Sequence, residues 1–270
     1  MSLASLKLKN DQTFDMTQTV TRLKDVAAET GRSPLSLLSE WWKISKQPGK
    51  LSIFEYLQYE LYKTDLEASG KQTFISERLH WPVTDKVSDL HWRATTEDKW
   101  LSYKILSSLG AAVPTTLAVA DTSLRRFGDS QKLATLDELV SFLENQTEFP
   151  IFAKPNGELG SYGALLIEGY DNGELIVNGG DRIDLAELYA EKISKTIYLF
   201  QRRVTCHPDI QKLTSHVATM RTVNLVKDDV ISTPYILFKI PVGNNVADNF
   251  WRSGNLLALI DKETGKIARV

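Results

Sequence analysis

An α+β fold with antiparallel sheets, preceded by a helical N-terminal region, is what this sequence predicts, and three observations carry the prediction. Apolar residues recur at helical spacing through roughly the first sixty positions. The later apolar runs are short and bounded by Gly, Pro, Asn and Asp, as strands are. Between two of those runs lies a glycine-rich turn, Gly157 to Gly163.

Each element has its own reason. Over residues 17–63, Val20, Leu23, Val26 and Ala27 form one helical stripe and Leu35, Leu37, Leu38, Trp41 and Trp42 a second, with Gly31 and Pro48-Gly49 as breaks. Residues 51–62 predict a third helix, with Ile53, Phe54, Tyr56, Leu57 and Leu61 as its packing face. Residues 76–92 show no clean period and contain Pro82, so they read as a connection. A boundary near Lys71 then separates a helical region, 1–70, from an α+β domain, 71–270. Thr95 and Asp98 stand at capping-box spacing before Leu101, Ile105, Leu106 and Leu109, which predicts a helix ended by Gly110 and Pro114. Residues 113–120 predict a strand, 136–143 a helix, and 151–154 and 164–167 two strands. Asp171-Asn172-Gly173 is a tight-turn signal ahead of a strand at 175–177, and 185–193 reads as helical. Strands at 197–201, 218–226 and 230–240 follow, the last two joined by Lys227-Asp228-Asp229.

Composition narrows the function. With 270 residues, 42% hydrophobic and 24% charged, the chain can bury a substantial core. The net charge of -2, with both signs interspersed, argues against nucleic acid or an anionic membrane as partner. No apolar run approaches a membrane span and the N-terminus is mostly polar, so a cytoplasmic location is expected. The only cysteine, Cys206, excludes an internal disulfide and reads as a spectator thiol.

The chemistry gathers around Lys154. The run Ile151 to Ala153 ends in this lysine and is broken by Pro155 and Gly157, which sets an ammonium at a loop mouth. Gly157, Gly160 and Gly163 let the backbone bend and bring bare amides near an anion. No Gly-x-x-x-x-Gly-Lys-Ser/Thr pattern is present and a strand follows, so the motif is a hairpin lid over a nucleotide rather than a P-loop. The same residues also fit a solvated hairpin. Arg221 shares a strand face with Val223 and Leu225, where an unpaired guanidinium is costly, so it calls for an anion, either a ligand or a structural carboxylate.

Asp98-Lys99 at a helix start, Lys154 before the glycine loop, Gln201-Arg202-Arg203-Val204 closing a strand, Arg221 mid-strand and Asp248-Asn249 before Gly254 together resemble the ATP-grasp superfamily, in type and in order. His207-Pro208-Asp209, Met220-Arg221-Thr222-Val223 and Asp248-Asn249-Phe250 are similar to the sugar-transfer-associated branch, as is the helix around Phe54 to Tyr62. The resemblance implies two small α+β subdomains that hold ATP between them and activate a carboxylate as an acylphosphate. It implies that Lys99 meets the α-phosphate and Lys154 the α/β-phosphates, with Gly160, Ser161 and Gly163 in the covering loop. Gln201 would read the adenine amino group, the backbones of Arg203 and Val204 the rest of the ring, and Asp209 the ribose hydroxyls, unless Asp209 is a helix cap. Arg221 would be catalytic, stabilising the transferring phosphate, with Lys239 in a lesser version of that role. Asn249, with Arg252, Ser253 and Gly254, would face the phosphates and the acceptor.

Mg²⁺ is expected from the family, but its acidic ligands are not found in this chain. Asp261 and Glu263 occupy a predicted hairpin tip and read as turn residues. Three readings remain. The first is an ATP-dependent carboxylate ligase acting on a small-molecule or glycan-related carboxylate in polysaccharide or cell-envelope metabolism. The second is a non-catalytic nucleotide binder on a degenerate or truncated scaffold, and the third an interaction module using Trp41 and Trp42.

Overall fold

The computed structural model describes residues 16–158, 161–249 and 254–270, which group into two units, 16–93 and Ala94–Val270. The first unit is helical: α1 (Met16–Thr30), α2 (Pro34–Ser45), α3 (Ile53–Gln58), α4 (Ala68–Lys71) and α5 (Glu77–Val87). Gly31, at φ 66°, stops α1. Ser33 then caps α2, which has Pro34 at its first position, and a reciprocal Ser52–Glu55 capping box opens α3. Val26, Leu37, Tyr56 and Leu61 form a core with no exposure. Glu40, part-buried, accepts from Lys71 Nζ (2.7 Å), from Tyr56 Oη (3.0 Å) and from Arg32 (2.6 Å), so the polar atoms beside this core are satisfied. Residues expected to be a connection instead form α5, with Pro82 inside it and no buried residue. A helix capped by Ser76 that presents no face to a core leaves no hydrophobic period to read.

The division falls at the start of α6 (Arg93–Glu97), and α7 (Lys99–Ser108) follows in the second unit. The expected cap at Thr95 is corrected: Asp98 separates the two helices, and its carboxylate accepts from Leu101 N at 2.9 Å. A seven-stranded sheet follows, from β1 (Thr116–Ala120), β2 (Gln131–Leu133), β3 (Ile151–Pro155), β4 (Leu165–Asp171), β5 (Glu174–Val177), β6 (Asp181–Asp184) and β7 (Tyr198–Arg202). Its order is β2-β1-β7-β3-β4-β5-β6, antiparallel apart from the β1–β2 pair. Helices α8 (Leu136–Glu144) and α9 (Leu185–Glu191) cover one face, where Leu139, Leu188, Ile151, Ile167 and Phe200 share a core. The Phe142 and Phe200 rings meet edge-on at 5.7 Å. The opposite face carries Val119 and Leu199, with Phe127 and the α7 aromatics Trp100 and Tyr103 packed on them.

A short α10 (Pro208–Gln211) precedes a four-stranded antiparallel sheet ordered β11-β10-β9-β8. Its strands are β8 (Thr219–Lys227), β9 (Val230–Ile240), β10 (Leu256–Ile260) and β11 (Ile267–Arg269). The turns Asn172-Gly173 and Asp228-Asp229 both place two consecutive residues at positive φ, the geometry that closes a two-residue hairpin without splaying its strands. No helix among the described residues is long and apolar enough to cross a membrane.

Candidate functional site

Strand register assembles the site. Phe152 lies opposite Gln201 and Leu166, and Lys154 opposite Leu199. Residues directly opposite share a face, so Phe152, Lys154, Leu166 and Gln201 project together on the side that carries α7. A cavity of about 410 Å³ opens there, within the range of small-molecule sites. Its walls come from that face, from α7 and the loop after β3, from Thr219 of the second sheet, and from residues 246–248 in the chain that follows β9.

One end of the cavity is cationic. Lys99 is the first residue of α7, and that helix end is tied to β3 through Asn156. The Asn156 Oδ1 accepts from Trp100 N (2.8 Å), and its carbonyl accepts from Lys99 Nζ (3.0 Å). Lys99 Nζ also donates to the Glu158 carbonyl (2.5 Å). Arg125 binds the Asp98 carboxylate at 2.5 Å, which fixes the cap that orients this turn. Lys154 Nζ donates to Tyr103 Oη at 2.5 Å and lies 4.9 Å from that ring's centroid.

Among the described residues no carboxylate pairs with Lys154, and burial alone pulls its pKa from 10.5 to about 8. Burial also lowers the pKa of Lys99, and the positive charge of Lys154 lowers it further, against partial compensation from Glu158 and Asp98. Two ammonium groups that repel each other inside a cavity are held at an electrostatic cost that an entering anion relieves.

The cavity also has an apolar lining from Val204, Val217, Val246 and Ala247, together with the half-buried His216. Gln201, 1% exposed, donates from Nε2 to Thr116 Oγ1 at 3.2 Å, which fixes its amide at this wall. Burial, then the nearby Arg203 charge, lowers the His216 pKa. Asp248 also lines the cavity, held by Lys239 (3.3 Å) and by the Thr219 hydroxyl.

Of the residues expected from the sequence, Lys99, Lys154, Ser161, Gln201, Arg203 and Val204 meet at this cavity. Lys239 and Asn249 adjoin it only through Asp248, and Gly160 lies outside the described residues, as do Arg252 and Ser253. Gly163 serves packing: at φ 69°, an added Cβ would stand 2.6 Å from Tyr198 Oη and 2.8 Å from Pro155 Cγ. Asp209 does not line the cavity; it sits exposed on α10, with Lys212 Nζ 2.6 Å from its carboxylate. Arg221 is exposed on β8, on the face of Thr219 and one strand repeat from it, and does not line the cavity. Water reaches its guanidinium, so the expected cost of burying that charge does not arise.

Sequence reading missed Tyr103, Asn156, Glu158 and His216. Tyr103 carried a signal, standing four residues after Lys99 and hence on the same helical face. His216 and Glu158 carried none.

A family model, sugar-transfer-associated ATP-grasp, matches residues 84–270. The chain belongs to the sugar-transfer-associated ATP-grasp family. ATP binding is the general property of that family, and the match covers both sheets and every wall of the cavity. No curated protein and no solved structure matches the chain.

Proposed function

We propose that this ATP-grasp protein binds ATP in the cavity between its two sheets and uses it to activate a carboxylate on a glycan-related or other small substrate. The observation that carries the reading is the Lys99–Lys154 pair, two half-buried ammonium groups at one cavity, the charge of Lys154 lowering the pKa of Lys99. ATP supplies a phosphoryl group and the charge these lysines lack.

In this reading Lys154 and Lys99 grip the phosphate oxygens by charge-assisted hydrogen bonds. Ser161 lines the same cavity. Gln201 and the Arg203–Val204 backbone meet the base edge, and Val217 and Val246 pack on its faces. Adenine suits such a slot, being flat and apolar on its faces and polar at its rim. Mg²⁺ accompanies ATP in the family, and the carboxylates on the cavity wall are those of Glu158 and Asp248, the latter engaged by Lys239.

Calorimetric titration with ATP tests the reading. Wild type should bind, and Lys154→Ala should bind about tenfold or more weakly, the loss of one charged contact of about 1.4 kcal/mol. Equal affinity in the two proteins removes Lys154 from the site. ADP release that depends on an added carboxylate supports a ligase, whereas ATP binding without such release favours a silent binder.

A further inference from the structure

Lys154 is a long, flexible side chain, and a strand end fixes only its backbone. Something must hold the ammonium at one point if it is to meet one phosphate. We infer that Tyr103 is that positioning residue: its hydroxyl accepts from Lys154 Nζ and its ring flanks the ammonium, aiming the remaining N–H donors into the cavity. This rests on the nucleotide reading above and adds a residue that the sequence did not mark.

Three observations carry the inference. The hydroxyl lies 2.5 Å from Nζ, and the ring centroid 4.9 Å away gives a cation–π contact. Tyr103 is itself anchored, packed with Trp100 against Val119, Leu199 and Phe127. Lys99 and Tyr103 stand at i and i+4 on α7, so one rigid helix face sets the spacing of both ammonium groups. The charged and titratable groups facing this corner are Lys99 and Tyr103 from α7 and Glu158 from the loop after β3; Tyr198 of β7 points to the opposite face of the sheet. Burial raises the Tyr103 pKa, which keeps it a neutral acceptor beside the lysine. Among the described residues no other hydrogen-bond acceptor meets Lys154 Nζ.

Tyr103→Phe keeps the ring and removes only the acceptor, and it has a pH signature that a packing role lacks. Without the hydroxyl the charged form of Lys154 loses its hydrogen bond and releases its proton about tenfold more readily. ATP affinity relative to wild type should then fall at pH 6.5, where the lysine stays protonated in both proteins but is no longer aimed, and about fourfold further at pH 8. An equal loss at both pH values, or none, overturns the inference.

NMR titration of the Lys154 side chain in the nucleotide-free protein gives a second readout that needs no ATP. The Lys154 transition should move to lower pH in Tyr103→Phe, and an unmoved transition overturns the inference. If wild type fails to bind ATP, the nucleotide reading falls, and the NMR comparison still decides the role of Tyr103.

Discussion

The two sheets of the Ala94–Val270 unit are built to different standards of burial. In β7 every residue but Arg202 is buried, whereas in β8 every residue but Val223 is exposed. The seven-stranded sheet has α8 and α9 on one face and α7 on the other. The four-stranded sheet leaves Met220, Val226, Val230 and Ile231 each more than 60% exposed. The cationic end of the site stands on the first sheet and on α7, and it inherits their rigidity. From the second sheet Thr219 lines the cavity, and Lys239 of β9 engages Asp248, which follows that strand. Preorganised charge therefore comes from one sheet, and closure of the cavity from the edge of the other.

Substitutions that break this contrast have a ranked set of effects. Phe200→Ala, which deletes a ring 1% exposed, should cost about 3–5 kcal/mol in urea unfolding. Met220→Ala on β8, 61% exposed, should stay within about 0.5 kcal/mol. Gly163→Ala should come next, at about 2–3 kcal/mol, because strained φ and overlap with Tyr198 and Pro155 act together. Gly265→Ala, with a similar φ of 70° but open space around it, should cost about 1 kcal/mol.

Lys154→Met sharpens the contrast from the other side, raising the stability of the nucleotide-free protein by about 1–3 kcal/mol at pH 7 while weakening ATP binding. The sign follows from linkage. The folded pKa, about 8, lies below the unfolded value of 10.5, so the unfolded chain holds more protons between those values. Wild-type stability should rise with pH across that window and be lowest, on this account, below pH 8. The slope should flatten in Lys154→Met, leaving the smaller contribution of Lys99, which urea unfolding at pH 7 and pH 9.5 checks. Arg221→Ala stands with Met220→Ala at the small end and should leave urea unfolding within about 0.5 kcal/mol, since its guanidinium is already in water.

Much of this was legible in the sequence, for local reasons. Turn chemistry at Asn172-Gly173 and at Asp228-Asp229 marked hairpins, and Lys154 before Pro155 and Gly157 marked the loop mouth. Strands β2 and β6 were missed because Gln131–Leu133 and Asp181–Asp184 are short and largely polar, held by pairing rather than by their own pattern. Arg221 was misjudged because alternation tells which residues share a face and nothing about whether that face is covered. The one local signal at Tyr103 was its spacing from Lys99 on α7, and His216, in the chain between α10 and β8, reaches the cavity through tertiary packing that no local pattern encodes.

The most direct measurement is the pKa of Lys154, followed by NMR of its side chain with and without ATP. An anion entering between the two lysines must restore the charged form, so the account predicts a pKa near 8 that climbs by one or more on ATP addition. A Lys154 that titrates near 10.5 in the free protein, or whose titration ATP leaves unmoved, would contradict it.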